Sequence, residues 1–253
     1  MTTPPPSPYD NAFYAAQVEE SLVAARLYAA RLAEVFAPAS VLDLGCGRGP
    51  WLKAFGEAGA PQLVGMDGAW NTGEMLDPAI EFRPTDLEKL CRDGWPGERF
   101  DLALSLEVAE HLPPNTSQAF VKLLCGASDV VIFGAAIPHQ TGTRHVNLRP
   151  QSAWAKDFAS LGYTAWDLFR PALWGDGAVP YWYQQNTFLY LREGNPLEAM
   201  LREKGVARIE RVEAMDTVHP DLLAAHAELP AFPSAKRLAK LVLPDAIVRQ
   251  LTK

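Results

Sequence analysis

The sequence predicts an α/β fold: a doubly wound, seven-stranded, mostly parallel sheet with helices on both faces and a short, mainly helical C-terminal appendage. Three observations point to it. Short apolar runs alternate with helical segments from residue 41 onward. The first run opens into a glycine-rich turn followed by a helix. The first three runs each carry an acidic residue at or just past their ends. Such alternation argues for parallel strands joined by crossover helices.

The elements follow in order. Residues 1–10 contain Pro4, Pro5, Pro6 and Pro8 and read as an extended, solvated tail. Val18, Leu22, Ala25, Leu32 and Phe36 recur at three- and four-residue steps, so a helix is expected from Asn11 to Phe36, stopped before Pro38. Strands are expected at Val41–Leu44, Gln62–Met66, Ile80–Arg83, Phe100–Leu106, Asp129–Phe133, Ala165–Phe169 and Thr187–Leu191. Helices at Pro50–Ala58, Leu87–Arg92 and Thr116–Cys125 lie between them. Residues 11–195 form the main domain in this reading and 196–253 the appendage. Asn195 suits a helix cap, Pro196 the first helical position and Gly205 the stop. Pro220, Pro230, Pro233 and Pro244 cut the remainder into short pieces.

Composition excludes several classes of function. The 253 residues are 48% hydrophobic and 21% charged, enough for a sizeable core. Lys plus Arg is 23 against 30 for Asp plus Glu, a net charge of −7. A non-specific nucleic-acid binder would be basic, so no nucleic-acid partner is expected. No apolar run approaches the ~20 residues a membrane helix needs, so no stable membrane insertion is expected. Without a visible leader, and with Cys46, Cys91 and Cys125 lacking metal-site spacing, the protein reads as cytoplasmic and free of disulfides. The basic stretch 236–253 reads as a solvated helix face. Oligomeric state stays open, a homodimer included.

The strongest local signal is Val41-Leu42-Asp43-Leu44-Gly45-Cys46-Gly47-Arg48-Gly49-Pro50. Glycines there allow positive φ and close approach of a ligand to the backbone. A dinucleotide fingerprint needs Gly-x-Gly-x-x-Gly. Here the third glycine comes one residue early, which disfavours a nucleotide-dependent oxidoreductase. The segment resembles motif I of the class I S-adenosylmethionine (SAM)-dependent methyltransferases, whose fold is Rossmann-like. Asp67 ends the second strand 24 residues after Asp43, where a carboxylate can accept both ribose hydroxyls. The resemblance implies that Asp86 receives the adenine amino group and that the Leu87 amide meets the ring. It further implies a cofactor shell of Asp43, Gly45, Cys46, Gly47, Asp67, Gly68, Asp86, Leu87, Ser105 and Glu107, and a lid around Tyr9, Asp10, Phe13 and Tyr14.

Past the fourth strand, Glu107 and His111 are four apart and would share one side of a helix. His111 is the first candidate for a general base and His145 the second, because an imidazole titrates near ~6.5. His111, His139 and His145 could together ligate a metal. No close spacing demands one, and the site is read as metal-free.

Further strings narrow the resemblance. Ala135–Asn147, Trp182-Tyr183-Gln184-Gln185-Asn186 and Val218–Leu222 are similar to those of a bacterial group associated with methylation of polysaccharide or secondary-metabolite sugars. The chain departs from that group at His139, Thr141 and Leu148. The expected acceptor is a small molecule, a sugar or sugar nucleotide, held by His139, Arg144, Asn147, Trp182 and Tyr183. The expected reaction is O-methylation from SAM, yielding S-adenosylhomocysteine (SAH). N-methylation, or SAM binding without turnover, are the alternatives.

Overall fold

The computed structural model describes residues 11–71 and 74–227. Expectations for the proline tail, for Tyr9 and Asp10, and for 236–253 lie outside the described residues.

Helix α1 runs Asn11–Ala33. It is followed by β1 Ser40–Leu44, α2 Pro50–Glu57, β2 Gln62–Asp67, β3 Ile80–Pro84, α3 Leu87–Asp93 and β4 Leu102–Leu106. Then come α4 Ser117–Ala127, β5 Val130–Gly134, α5 Gln151–Ser160, β6 Tyr163–Trp166, α6 Arg170–Leu173, α7 Tyr181–Asn186, β7 Phe188–Arg192 and α8 Leu197–Glu203. The last described helix, α9, spans Pro220–Ala227. No described helix is long and apolar enough to cross a membrane.

The strands form one sheet in the order β3-β2-β1-β4-β5-β7-β6. All pairings are parallel except those of β7 with β5 and β6. β1 therefore sits between β2 and β4, with crossovers leaving to opposite sides. The crevice this opens at the carboxyl ends of β1 and β4 is where open α/β sheets bind ligands.

Both sheet faces are buried, and strand alternation divides the core in two. Val41, Leu63, Leu102, Leu104, Ile132 and Leu191 point to the face covered by α1 and α2. Leu42, Val64, Ala103, Val131, Phe133 and Tyr190 point to the face covered by α3, α4 and α5. On that second face Phe158 stacks on Tyr190, with ring centroids 3.9 Å apart.

Three expectations are corrected. The sixth strand is Tyr163–Trp166, not Ala165–Phe169. Gly162 (φ 80°) releases the chain from α5, and Asp167 ends the strand by pairing with Arg170 at 2.7 Å. Helices α5, α6 and α7 were not foreseen. Two of them start directly after a proline in extended geometry, Pro150 and Pro180.

The third correction concerns the domain boundary, since the compact unit runs to Thr217 and not to Asn195. Leu197, Leu201 and Val206 enter the α1/α2-side core. Asp216 accepts from the Ser152 amide at 2.7 Å and its hydroxyl at 2.6 Å. Residues 218–253 form the second unit. Pro196, not Asn195, is the residue that precedes α8, and Asn195 instead makes a local turn, its Oδ1 accepting from Leu197 N at 2.9 Å.

Phe158 is fully buried and its partner ring is fixed, so the site cannot collapse on truncation. Phe158→Ala should lower the unfolding free energy by about 3–5 kcal/mol. Urea denaturation checks this, and a loss below about 1 kcal/mol would contradict the packing described.

Candidate active site

The loop after β1 hangs on the end of β2. The amides of Gly45 and Cys46 donate to the Met66 carbonyl at 2.7 and 3.3 Å, and Gly47 N donates to Asp67 Oδ2 at 2.7 Å. Gly45 has φ 89°, and a Cβ on it would lie 2.3 Å from Val108 Cγ2, so only glycine fits. Gly47 differs. Its φ is 52°, yet an added Cβ would meet nothing within 4 Å, because the backbone there faces open space.

Two carboxyls stand at this loop. Asp67 accepts from Gly47 N and, through Oδ1, from Gly68 N at 2.6 Å. Burial pushes its pKa up, and the two amide bonds pull it partly back. Asp43 is 2% exposed and pairs with no cation among the described residues. Burial, then the charge of Asp67, holds its carboxyl well above the usual range.

The other expected cofactor residues divide. Asp86 Oδ1 caps α3, accepting from Lys89 N at 2.9 Å and leaving Oδ2 for a ligand. The Leu87 side chain is core, and its backbone opens α3. Gly68 lies under the Trp70 ring, which would have to turn aside for a Cβ. Ser105 and the Cys46 side chain are corrected. Ser105 Oγ donates to the Leu44 carbonyl at 2.7 Å, tying β4 to β1, and is fully buried. The Cys46 thiol is packed in the core, and burial raises its pKa.

Beyond β4 the expected helix does not form. Glu107 takes a left-handed φ of 55°, and a 3-10 turn follows at Ala109–His111. Glu107 and His111 therefore do not share a helix face. The Glu107 carboxylate is gripped by two amides: Gln140 Nε2 at 2.6 Å and Asn186 Nδ2 at 3.0 Å. Asn186 also donates to Gln140 Oε1 at 2.9 Å, and its own Oδ1 accepts from Gln185 at 2.9 Å. Burial lifts the Glu107 pKa to about 7 against these bonds.

His111 instead meets His145, with ring centroids 5.0 Å apart. Burial, then His145, lowers the His111 pKa, while the backbone of Arg144 and Thr143 opposes this. His145 Nδ1 lies 3.2 Å from the Gln140 carbonyl. Its Nε2 lies 3.9 Å from Oε1 of Glu110. Glu110, His111 and His145 thus form one cluster whose donor atoms all lie within 4.8 Å of one another. His139 is exposed and outside it, so the three histidines named from the sequence do not assemble as a set.

The expected acceptor residues are also sorted. Asn147 is buried and donates both amide hydrogens internally, to Ala109 O at 3.1 Å and Ser117 Oγ at 3.0 Å. It ties the loop down and has no donor to offer a ligand. Tyr183 is core: its ring meets Trp51 edge-on at 5.2 Å, its hydroxyl bonds Ser21 at 3.0 Å, and burial raises its pKa to about 12. Trp182 is half-buried and packs against the same core. His139 (φ 74°) and Arg144 (φ 57°) are exposed on the loop after β5.

Residues 14–124 match the family described as a methyltransferase domain. A ubiquinone biosynthesis O-methyltransferase of Methylobacterium sp. (strain 4-46) is 31% identical over 101 residues, covering 37% of this chain and 38% of that protein. The match thus spans under two fifths of the curated relative. Magnesium protoporphyrin IX methyltransferase of Synechocystis PCC 6803, solved with bound SAH, superposes with a TM-score of 0.51 at 19% identity, covering 75% of this chain and 90% of that one. A SAM-bound amino pentose methyltransferase of Micromonospora echinaspora gives a TM-score of 0.51 at 16% identity, with 74% and 99% covered. The chain has the Rossmann-like methyltransferase fold.

Within that fold, sequence reasoning missed Trp70, Asn71, Glu110 and Asn186 as site residues, and placed Gln140 among acceptor-pocket groups without its bond to Glu107. Trp70 is 64% exposed beside Gly68, and Asn71 Nδ2 donates to the Gly47 carbonyl. Their position just past the acid of β2 was the available signal. Gln140, Glu110 and Asn186 lie 30 and 46 residues apart, so nothing local pointed to their meeting.

The tie made by Asn147 is testable. Asn147→Leu leaves a buried hydroxyl and a buried carbonyl without their donor. This should cost about 1–3 kcal/mol of stability and raise hydrogen exchange at Val146 and Asn147. An unchanged exchange rate would show that the loop is held by other means.

Proposed function

We propose that the protein is a SAM-dependent methyltransferase that methylates an oxygen of a small-molecule acceptor. The observation that carries this reading is the open space over Gly47, beside the buried and uncompensated Asp43 carboxyl. SAM brings an ammonium and a sulfonium, the cations that this carboxyl lacks. The residues fit the cofactor. Gly45, Cys46 and Gly47 would line its methionine part through their backbone, Asp67 would accept the ribose hydroxyls, and Asp86 with the Leu87 amide would meet the adenine. Trp70 offers an aromatic face beside the ribose residues.

When bound, SAM supplies a methyl group already activated on sulfur. The protein has then to position the acceptor and manage its proton. His111 and His145 are the acceptor-side groups. A carbonyl can only accept, so His145 Nδ1 is the donor to Gln140 and its Nε2 is the ring nitrogen left to face other groups. The O-methyltransferases among the matched relatives favour oxygen over nitrogen. A sugar or sugar nucleotide is the acceptor class that suits His139, Arg144 and Trp182, which offer polar groups for hydroxyls or phosphate and a ring for a C–H face.

A methyl-transfer screen with radiolabelled SAM against sugars, sugar nucleotides and hydroxylated aromatics tests the reading. Failure to bind SAM would overturn it. Asp67→Ala should weaken SAM by about 5- to 150-fold in calorimetry, from about 1–3 kcal/mol of lost hydrogen bonding. Gly47→Val should abolish SAM binding, because its side chain takes the open space. Normal affinity in that variant would place the cofactor elsewhere.

The histidines separate from the cofactor in kinetics. His111→Ala should lower kcat by about 10²–10⁴-fold with SAM affinity nearly intact. Collapse of SAM binding instead would make His111 a structural residue.

A further inference from the structure

Glu110 is in an environment that the methyl-transfer reading leaves unexplained. Its side chain is 0% exposed, and neither carboxyl oxygen has a partner in good hydrogen-bond geometry, the backbone amides of Glu110 and Ala136 and the Glu107 carboxyl being its polar neighbours. Such a group costs folding free energy unless something satisfies it. A second carboxylate, Glu107, stands beside it, and no lysine or arginine pairs with either among the described residues. Both oxygens of Glu107 are already bonded to Gln140 and Asn186. The carboxyl left without a well-formed bond is therefore that of Glu110, and the His145 ring faces it at 3.9 Å.

The imidazoles are set for ligation. His145 Nδ1 lies 3.2 Å from the Gln140 carbonyl, which orients the ring and points Nε2 at Glu110 Oε1, 3.9 Å away. The two side chains thus face each other just beyond hydrogen-bond reach. Donation of the second ring nitrogen to a backbone carbonyl is the usual support for a metal-ligating histidine. His111 brings a third donor within 4.8 Å from the exposed side, leaving coordination positions open to solvent.

The backbone builds this meeting. Val146 N and Asn147 N both donate to the Glu110 carbonyl, at 2.9 and 3.0 Å. The three non-glycine residues with positive φ among those described, Glu107, His139 and Arg144, all flank the cluster. Such strain persists only where the surroundings over-determine it, and it collects at functional sites.

We propose that Glu110, His111 and His145 form a divalent-cation site of two imidazoles and one carboxylate, taking a first-row ion such as Zn²⁺ in preference to Mg²⁺. Imidazole selects the softer ion, whereas Mg²⁺ prefers an all-oxygen shell. Donors on a zinc-sized ion stand about 3.4 Å apart, so the 3.9 Å Glu110–His145 pair closes with a shift of about half an ångström. The cation would satisfy Glu110 and present open positions beside the acceptor side of the cleft. This assigns the His145 lone pair to an ion and not to a proton.

The test needs neither SAM nor acceptor, so failure of the site and failure of the methyl-transfer reading are read separately. The full chain, stripped with EDTA and dialysed, is titrated with ZnCl₂ in a calorimeter, with MgCl₂ in parallel. The expected result is one saturable Zn²⁺ site per chain. It should weaken at least about tenfold in His111→Ala, in His145→Ala and in Glu110→Gln, and stay unchanged in His226→Ala. His111 is the most solvent-accessible of the three, and near-UV circular dichroism of each variant separates loss of the site from loss of the fold. Absence of saturable binding, binding that survives both cluster histidine variants, loss in His226→Ala, or equal affinity for Mg²⁺ would each overturn the proposal.

Discussion

Three backbone amides at the end of β1 hang the glycine loop on the end of β2, and the site is arranged around that suspension. Two of them meet the Met66 carbonyl and the third meets the Asp67 carboxylate. The loop can reach β2 only because β1 pairs with it in parallel over five residues, Ser40 to Leu44. It can do so without a side-chain collision only because Gly45 passes beneath Val108. Val108 in turn belongs to the turn that carries Glu107, Glu110 and His111. The cofactor-side loop and the acceptor-side turn are thus packed against each other, and neither can shift alone.

The second constraint is charge. Asp43, Asp67, Glu107 and Glu110 gather at one end of the sheet, all with pKa values raised chiefly by burial. Among the described residues none of the four pairs with lysine or arginine. Elsewhere the chain pairs its acids at the surface, as Arg26 with Glu57 and Arg83 with Glu98. Concentrating unpaired carboxylates in the crevice makes a site for cationic ligands. Asp67 and Glu107 are held in place by amides, which orient a carboxylate without neutralising it. SAM on one side and a metal ion on the other are the cations this arrangement suits.

The strands, the loop after β1 and its partner Asp67 were legible because each is a local pattern. A buried run of Val, Leu and Asp ends in glycines that need positive φ, and the next run ends in an acid. Each of the seven expected strands overlaps an observed one, with ends moved by at most three residues. Ser105, Asn147 and Tyr183 were misassigned for a common reason. Each is a polar side chain in a segment near the site, and chain position cannot reveal that its polar atom is already spent, on Leu44, on Ala109 with Ser117, and on Ser21.

What the sequence by itself determined is the α/β order of elements, the glycine loop and the acids at the ends of β1 and β2. These rest on local backbone geometry and on alternation along a strand. Only the tertiary structure decided which polar residues meet. Glu107 was expected one helical turn from His111, but a left-handed φ at Glu107 turns it toward Gln140 and Asn186. His145 reaches Glu110 because two loop amides are clamped onto the Glu110 carbonyl. Those encounters join residues that are 33 to 79 positions apart. They depend on packing that brings β4, the loop after β5 and α7 to one end of the sheet, and no periodicity in the chain records it.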